Sequence, residues 1–331
     1  MNDTLIFIIA LTSTLILTVI SERFLIPYLR SVKMQQKILD IGPRWHKSKE
    51  GTPTMGGLGF IASSFVVFVG FGIYMTLSDP SVSAWRLFGA YGYALLCGGI
   101  GVIDDYAKFF KKQNEGLKAW QKYLLQLVVS ALFLIVLVGK GGLTTELHIP
   151  FSSVYVDLGW FYYVLALVLL TGIMNSVNLT DGIDGLASSV TAVVGAFFAV
   201  VSFALGSPET KLLSAVVIGA CLGFLVYNFY PARVFMGDTG SLFLGGAVIA
   251  MAFLINDPLI AVIAGIVYVC ESASVILQVG YFKLTHGKRL FKMSPIHHHF
   301  EKCDWSEIKI VTVFSFVTLV FSVIAYFGVR I

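Results

Sequence analysis

LGWFYYVLALVLLTGIMNSVNLTDGIDGLA, residues 158–187, changes character halfway along. Residues 158–176 are apolar over nearly the length a bilayer-spanning helix needs, about 20 residues, because lipid offers no hydrogen-bond partner to an open backbone. The second half, NSVNLTDGIDGLA (175–187), sets Asn175, Asn178, Asp181 and Asp184 at three-residue intervals. Three residues advance an α-helix by about 300°, so four such positions sweep roughly half its circumference, whereas a 3₁₀ turn would align them. Gly182 and Gly185 predict that the helix breaks here, leaving a loop able to wrap a ligand. The stretch reads as a membrane helix whose end forms the wall of a polar pocket.

The surrounding sequence places this helix among others like it. The chain of 331 residues is 57% hydrophobic and only 13% charged, with a mean hydropathy of +0.84, far from the values of soluble globular domains. Apolar stretches lie near 4–21, 57–77, 87–103, 123–139, 158–176, 187–205, 212–229, 241–256, 258–282 and 308–328. They predict an all-α polytopic membrane protein of about ten transmembrane helices, a single membrane domain over residues 1–331. The opening MNDTLIF lacks the positive region of a cleaved signal, so the first segment is read as a permanent helix. If the loops after helices 1, 3, 5, 7 and 9 face the cytoplasm, they hold 19 of the 23 Lys and Arg, counting Lys309 at the edge of the last segment, and leave only Arg86, Lys140, Lys211 and Arg330 elsewhere. The positive-inside rule then puts both termini outside. The basic inner face suits anionic lipid headgroups or phosphorylated substrates rather than nucleic acid. Cys97, Cys221, Cys270 and Cys303 form no metal or disulfide framework. On the outer side, ELHIPFSSVYVDLGW (146–160) alternates enough for a small hairpin.

Ionisable residues near membrane depth are costly, so where they collect is informative. LLCGGIGVIDDY ends in Asp104 and Asp105, and VFMGDTGS carries Asp238 just before the eighth segment. With Asp181 and Asp184, acids from three distant parts of the chain arrive at one membrane face. Each alone has an ordinary reading as a helix cap or turn residue. Together they repel unless a cation or proton neutralises them. Hard oxygen ligands without nearby thiolates favour Mg²⁺ over zinc, with phosphate completing the shell. The glycines of GGIGVIDD do not make a dinucleotide site, since no βαβ unit surrounds them. GPRWHKSKEGTPTMGG (42–57) offers His46, Lys47, Lys49, Thr52 and Thr54 in a loop that can hold phosphate. KMSPIHHHF (292–300) offers three consecutive histidines, of which one or two can contact phosphate or exchange protons.

Taken together, GTPTMGG (51–57), DDYAK (104–108), NSVNLTDGIDGLA, NFYPARVFMGDTGS (228–241) and SPIHHHFE (294–301) resemble the phospho-N-acetylmuramoyl-pentapeptide transferase family. The resemblance implies transfer of phospho-MurNAc-pentapeptide from its UDP-linked form to undecaprenyl phosphate, giving lipid I and UMP with Mg²⁺, at the bacterial cytoplasmic membrane. It implies a catalytic set of Asp104, Asp105, Asp181, Asp238 and His297. In that set Asp238 is the Mg²⁺ ligand, and Asp104 and Asp105 lie beside the attacking lipid phosphate, Asp104 as the candidate base with Asp105 in support. Asn178, Asp181 and His297 would orient the pyrophosphate and metal. Lys49, Gly182, Asp184, Asn228 and Phe235 would form the nucleoside pocket, with Lys108 and Lys122 on phosphate and Thr54, Asn175 and His298 as further substrate contacts. A lipid phosphate is already an anionic nucleophile, so direct attack is favoured over a covalent aspartyl-phosphate. Oligomeric state, a homodimer included, stays open. The competing readings are a polyprenyl-phosphate GlcNAc-1-phosphate transferase, a secondary transporter and a noncatalytic scaffold. Transport sites tend to lie near the bilayer midplane between repeats, and neither feature is present in this sequence.

Overall fold

The computed structural model describes residues 1–34, 49–111 and 116–329. Its elements are α1 (Asp3–Ser31), α2 (Gly57–Ser78), α3 (Ala84–Lys111), α4 (Ala119–Lys140), β1 (Glu146–His148), β2 (Tyr155–Asp157), α5 (Phe161–Thr180), α6 (Leu186–Leu205), α7 (Pro208–Asn228), α8 (Gly237–Leu254), α9 (Ile260–Ala264), α10 (Ile266–Leu284), α11 (Ile296–Glu301) and α12 (Glu307–Gly328). Among the described residues, nine helices (α1–α8 and α12) are long and apolar enough to cross a membrane. The protein is an all-α polytopic membrane protein. The 175–187 stretch breaks where its glycines predict: α5 stops at Thr180, and α6 begins after Gly185, whose φ of 76° belongs to the left-handed region.

The segment expected to run unbroken over 258–282 is instead two helices, α9 and α10, meeting at Gly265. A Cβ at Gly265 would sit 2.7 Å from the Ala261 carbonyl and 2.8 Å from the Tyr268 ring, so the tight joint between the two helices requires glycine. The outer segment forms the expected hairpin, with Glu146 paired to Asp157, Leu147 to Val156 and His148 to Tyr155. His148 fastens it to the α8–α9 connection, its Nδ1 lying 3.0 Å from Asp257 Oδ2. The hairpin joins α4 to α5 at the ends remote from Lys122 and Asp181, one bundle length of about 30 Å away.

At the centre stands α8, in which every residue from Thr239 to Leu254 is buried. Its sequence GDTGSLFLGGA explains how, because small residues let neighbouring backbones approach closely. A Cβ at Gly57 of α2 would fall 2.4 Å from the Gly240 nitrogen. One at Gly101 of α3 would fall 2.2 Å from the Asp238 carbonyl oxygen, and one at Gly245 of α8 2.8 Å from the Met174 Cα on α5. The α3 helix also serves both ends of α8. Asp105 accepts from the Asp238 and Thr239 backbone N–H groups at 3.2 and 2.9 Å, donors that the first helical turn leaves without internal partners. At the other end Arg86 of α3 donates to the Leu254 carbonyl and, at 3.1 Å, to that of Gly141. A carboxylate at its N-terminus and a guanidinium at its C-terminus complement the α8 dipole.

Candidate active site

Four helices, α3, α4, α5 and α8, deliver polar residues to one place. On α3, Asp104 and Lys108 are an i,i+4 pair at 2.7 Å, and Asp105 and Lys108 an i,i+3 pair at 3.4 Å. The start of α8 brings Asp238, and the same Lys108 Nζ lies 2.8 Å from its Oδ2. From α4, Lys122 reaches that oxygen at 2.9 Å. From α5, Asn178 donates to the other oxygen at 2.8 Å and to Ser241 at 2.7 Å. One oxygen from each of Asp104, Asp105 and Asp238 lies within 4.8 Å of the others. Three carboxylates face two ammonium groups, a balance that leaves room for added positive charge. All the ligand atoms are hard carboxylate oxygens, the donor type a divalent cation such as Mg²⁺ takes.

The acids are not equivalent. Asp105 is held by Thr239 Oγ1 at 2.8 Å as well as by the two backbone donors, so its bonds fix α8. Asp104 instead accepts the Leu117 N–H at 2.8 Å, pairs with Lys108 and lies against the Asp238 carboxyl. In the turn after α5, burial, with the charges of Asp238, Asp105 and Asp184 adding to it, pushes the Asp181 carboxyl up to about 8.

A second cluster lies across that turn. Lys49 Nζ is 2.6 Å from both Asp184 Oδ1 and Glu307 Oε2. The other Asp184 oxygen accepts the Ala232 N–H at 2.8 Å. Asn228 is buried and ties two loops together, accepting from the Gly185 N–H at 3.2 Å and donating to the Val234 carbonyl at 3.0 Å. Phe235 is half-buried, its N–H and C=O bonded to Pro53 and Gly56, which zips the loop entering α2 to the loop entering α8. Thr54 Oγ1 approaches Gly237 from the same loop. An open cavity of about 970 Å³ borders Lys49 and Glu307 and is walled further by Tyr230, Lys292, Lys302 and Trp305.

The histidine run divides by position. His297 is buried, its Nδ1 2.9 Å from Glu271 Oε2 and its Nε2 against Gly182. His298 Nδ1 instead lies 2.5 Å from Glu301. Asn175 exchanges amide hydrogen bonds with Gln126 at 2.7 and 3.0 Å and also donates to the Thr171 carbonyl, which fastens α5 to α4. His46 and Lys47 lie outside the described residues. The sequence reading missed Glu307 and Glu271. The signal for Glu271 was available, an ionisable residue inside an apolar run. Glu307 had only the Ser306 N-cap before α12 to mark it.

A helical membrane bundle with acids and lysines gathered at one end is the architecture of a membrane-embedded transferase, and residues 87–256 match the model of glycosyl transferase family 4. The chain is 46% identical over 311 residues to the phospho-N-acetylmuramoyl-pentapeptide-transferase of Clostridium novyi, covering 94% of this chain and 93% of that one. It is 44% identical over 324 residues to the protein of the same name from Halalkalibacterium halodurans, covering 97% of each. To that of Listeria monocytogenes serotype 4b it is 43% identical over 311 residues, covering 94% of each. The chain belongs to the phospho-N-acetylmuramoyl-pentapeptide-transferase family within glycosyl transferase family 4.

Proposed function

We propose that the chain transfers phospho-MurNAc-pentapeptide from UDP-MurNAc-pentapeptide to undecaprenyl phosphate, giving lipid I and UMP for peptidoglycan synthesis. The observation that carries this reading is the meeting of Asp104, Asp105 and Asp238 around Lys108 in a chain at least 43% identical to transferases of that name. An oxygen of the lipid phosphate attacks the β-phosphorus, the phosphoanhydride bond breaks, and UMP leaves with the bonding pair. Two anions must meet for this. At an effective dielectric of about 20, like unit charges 4 Å apart repel by about 4 kcal/mol. Lys108 and Lys122 lie where they can screen that repulsion. Mg²⁺ held by Asp238, with Asp104 close by, would supply the remaining positive charge on the phosphates. Because Asp105 is engaged by the α8 N-terminus, Asp104 is the carboxylate left to face the lipid phosphate, and direct attack needs no covalent aspartyl-phosphate. Asp181 and Asn178 border the pyrophosphate, and Lys49, Asp184, Gly182 and Phe235 the nucleoside. By the charge distribution of the loops, this end faces the cytoplasm, both termini face outward, and the membrane is the plasma membrane of a bacterium.

The test is UMP release by the purified protein in detergent with undecaprenyl phosphate and Mg²⁺, comparing UDP-MurNAc-pentapeptide with UDP-GlcNAc. Release from the muropeptide alone, abolished by EDTA, is expected. Release from UDP-GlcNAc alone would move the chain to the sister transferases, and none from either would sink the reading. Lys49→Ala is expected to raise KM for the UDP-substrate about tenfold or more, since a hydrogen bond to a charged group contributes roughly 1.5–3 kcal/mol. Its loss also leaves Asp184 and Glu307 facing each other without their shared cation. An unchanged KM would remove Lys49 from the pocket.

A further inference from the structure

Glu271 belongs to no motif of the reaction, yet it is wholly buried, at 0% exposure, in the second turn of α10. Among the described residues its only ion-pair partner is His297, itself at 0% exposure, with Nδ1 2.9 Å from Glu271 Oε2. Beside this pair the Ser272 hydroxyl bonds that of Ser176 at 2.6 Å and fixes α10 against α5. The far ring nitrogen, Nε2, is buried without a hydrogen-bond partner. It points at the turn after α5, where a Cβ on Gly182 would fall 2.2 Å from it. A buried polar atom without a partner is costly, and one aimed at a substrate-facing turn has a reason to be kept free.

Charge balance decides which way this nitrogen works. A bare Glu271 carboxylate beside a neutral ring would be an uncompensated buried charge, which is strongly unfavourable. The pair is neutral when it holds one proton more. With the shared proton in the Oε2–Nδ1 hydrogen bond, on either atom, the second ring proton is on Nε2. We propose that Glu271 is a positioning residue that keeps His297 protonated at Nε2, so that the imidazole donates to a phosphate oxygen of the nucleotide substrate rather than acting as a base. This rests on the transfer reaction proposed above. It also bears on position 182, where a Cβ would fall 2.2 Å from Nε2 and displace the ring, so glycine is what lets the nitrogen face this turn.

The experiment uses full-length protein in micelles labelled with ¹⁵N-histidine, the His297 resonances being assigned by their loss in His297→Ala. Wild-type Nε2 is expected to be protonated, and in Glu271→Gln, which keeps an acceptor for Nδ1 without the charge, Nε2 is expected to lose its proton. Turnover measured as UMP release should fall about 100-fold in Glu271→Gln, the scale for removal of one preorganised donor. KM should move by less than about threefold, as expected for an interaction made mainly in the transition state. In a His297→Ala background the same substitution should cost nothing further. A bare Nε2 in the wild type would overturn the proposal, as would an equal cost of Glu271→Gln with and without His297. If the wild-type protein released no UMP from the muropeptide, the proposed reaction would fall, while the ring-nitrogen result would still decide what Glu271 does to His297.

Discussion

Asp238→Asn is expected to lower turnover by at least about 10³-fold, roughly 4 kcal/mol of barrier, while leaving the protein folded. The substitution keeps the shape and can keep the acceptor for Asn178. It replaces the oxygen that receives both Lys108 and Lys122 with an N–H donor, or else turns that donor on Asn178. Either way the cluster loses one of its three negative charges and a ligand for the proposed cation. The fold has no comparable stake in this side chain, because Asp105 and not Asp238 satisfies the first turn of α8. Thermal unfolding in detergent should therefore shift little. The measurement is UMP release over a range of Mg²⁺ concentrations, and turnover within tenfold of wild type at ordinary Mg²⁺ would sink the metal assignment.

Gly101→Ala is expected to cost about 100-fold in turnover and roughly 1–3 kcal/mol in stability, although the side chain added is a single methyl group. The new Cβ would lie 2.2 Å from the Asp238 carbonyl oxygen, 2.4 Å from its carbon and 2.5 Å from the Thr239 nitrogen, all backbone atoms that no rotamer change can move. Reaching ordinary contact means separating α3 from α8 by about 1 Å, and a misplacement of that size at a reacting centre costs about two orders of magnitude. Asp105 sits one helical turn further along α3 on the same face. The separation therefore also lengthens the hydrogen bonds that hold α8. Gly99→Ala is the control, since nothing lies within 4 Å of a Cβ there. Equal turnover and melting temperature for the two variants would remove the close approach of α3 and α8 from the account of the site.

Much of this architecture can be read from the chain because membranes impose simple rules. The apolar runs, the glycine break after Thr180 and the outer hairpin all follow from local composition, and each is present in the structure. The assembly of Asp104, Asp105 and Asp238 was legible because five carboxylates at one membrane face call for a common explanation. What stayed hidden depends on packing that composition does not reveal. Gly265 looks like any other glycine of an apolar helix until Tyr268 folds against it. Adjacent aspartates give no hint that Asp105 caps another helix while Asp104 does not. Asn175 continues the three-residue rhythm of Asn178, Asp181 and Asp184, yet it turns to Gln126 on α4. A periodicity fixes the angle at which a residue leaves its helix and says nothing about which neighbour stands there.

The twin attachment of α8 to α3, through Asp105 at one end and Arg86 at the other, bears on how ligands can act on this protein. Gripped at both ends and in backbone contact at Gly101, the two helices hold the backbone spacing between Asp104 and Asp238. A ligand that prised these helices apart would have to break those bonds. Discrimination between ligands falls to the rim, where the 181–185 turn, Lys49 and the α10–α12 connection meet. Chemical groups added there have the most varied surroundings to address.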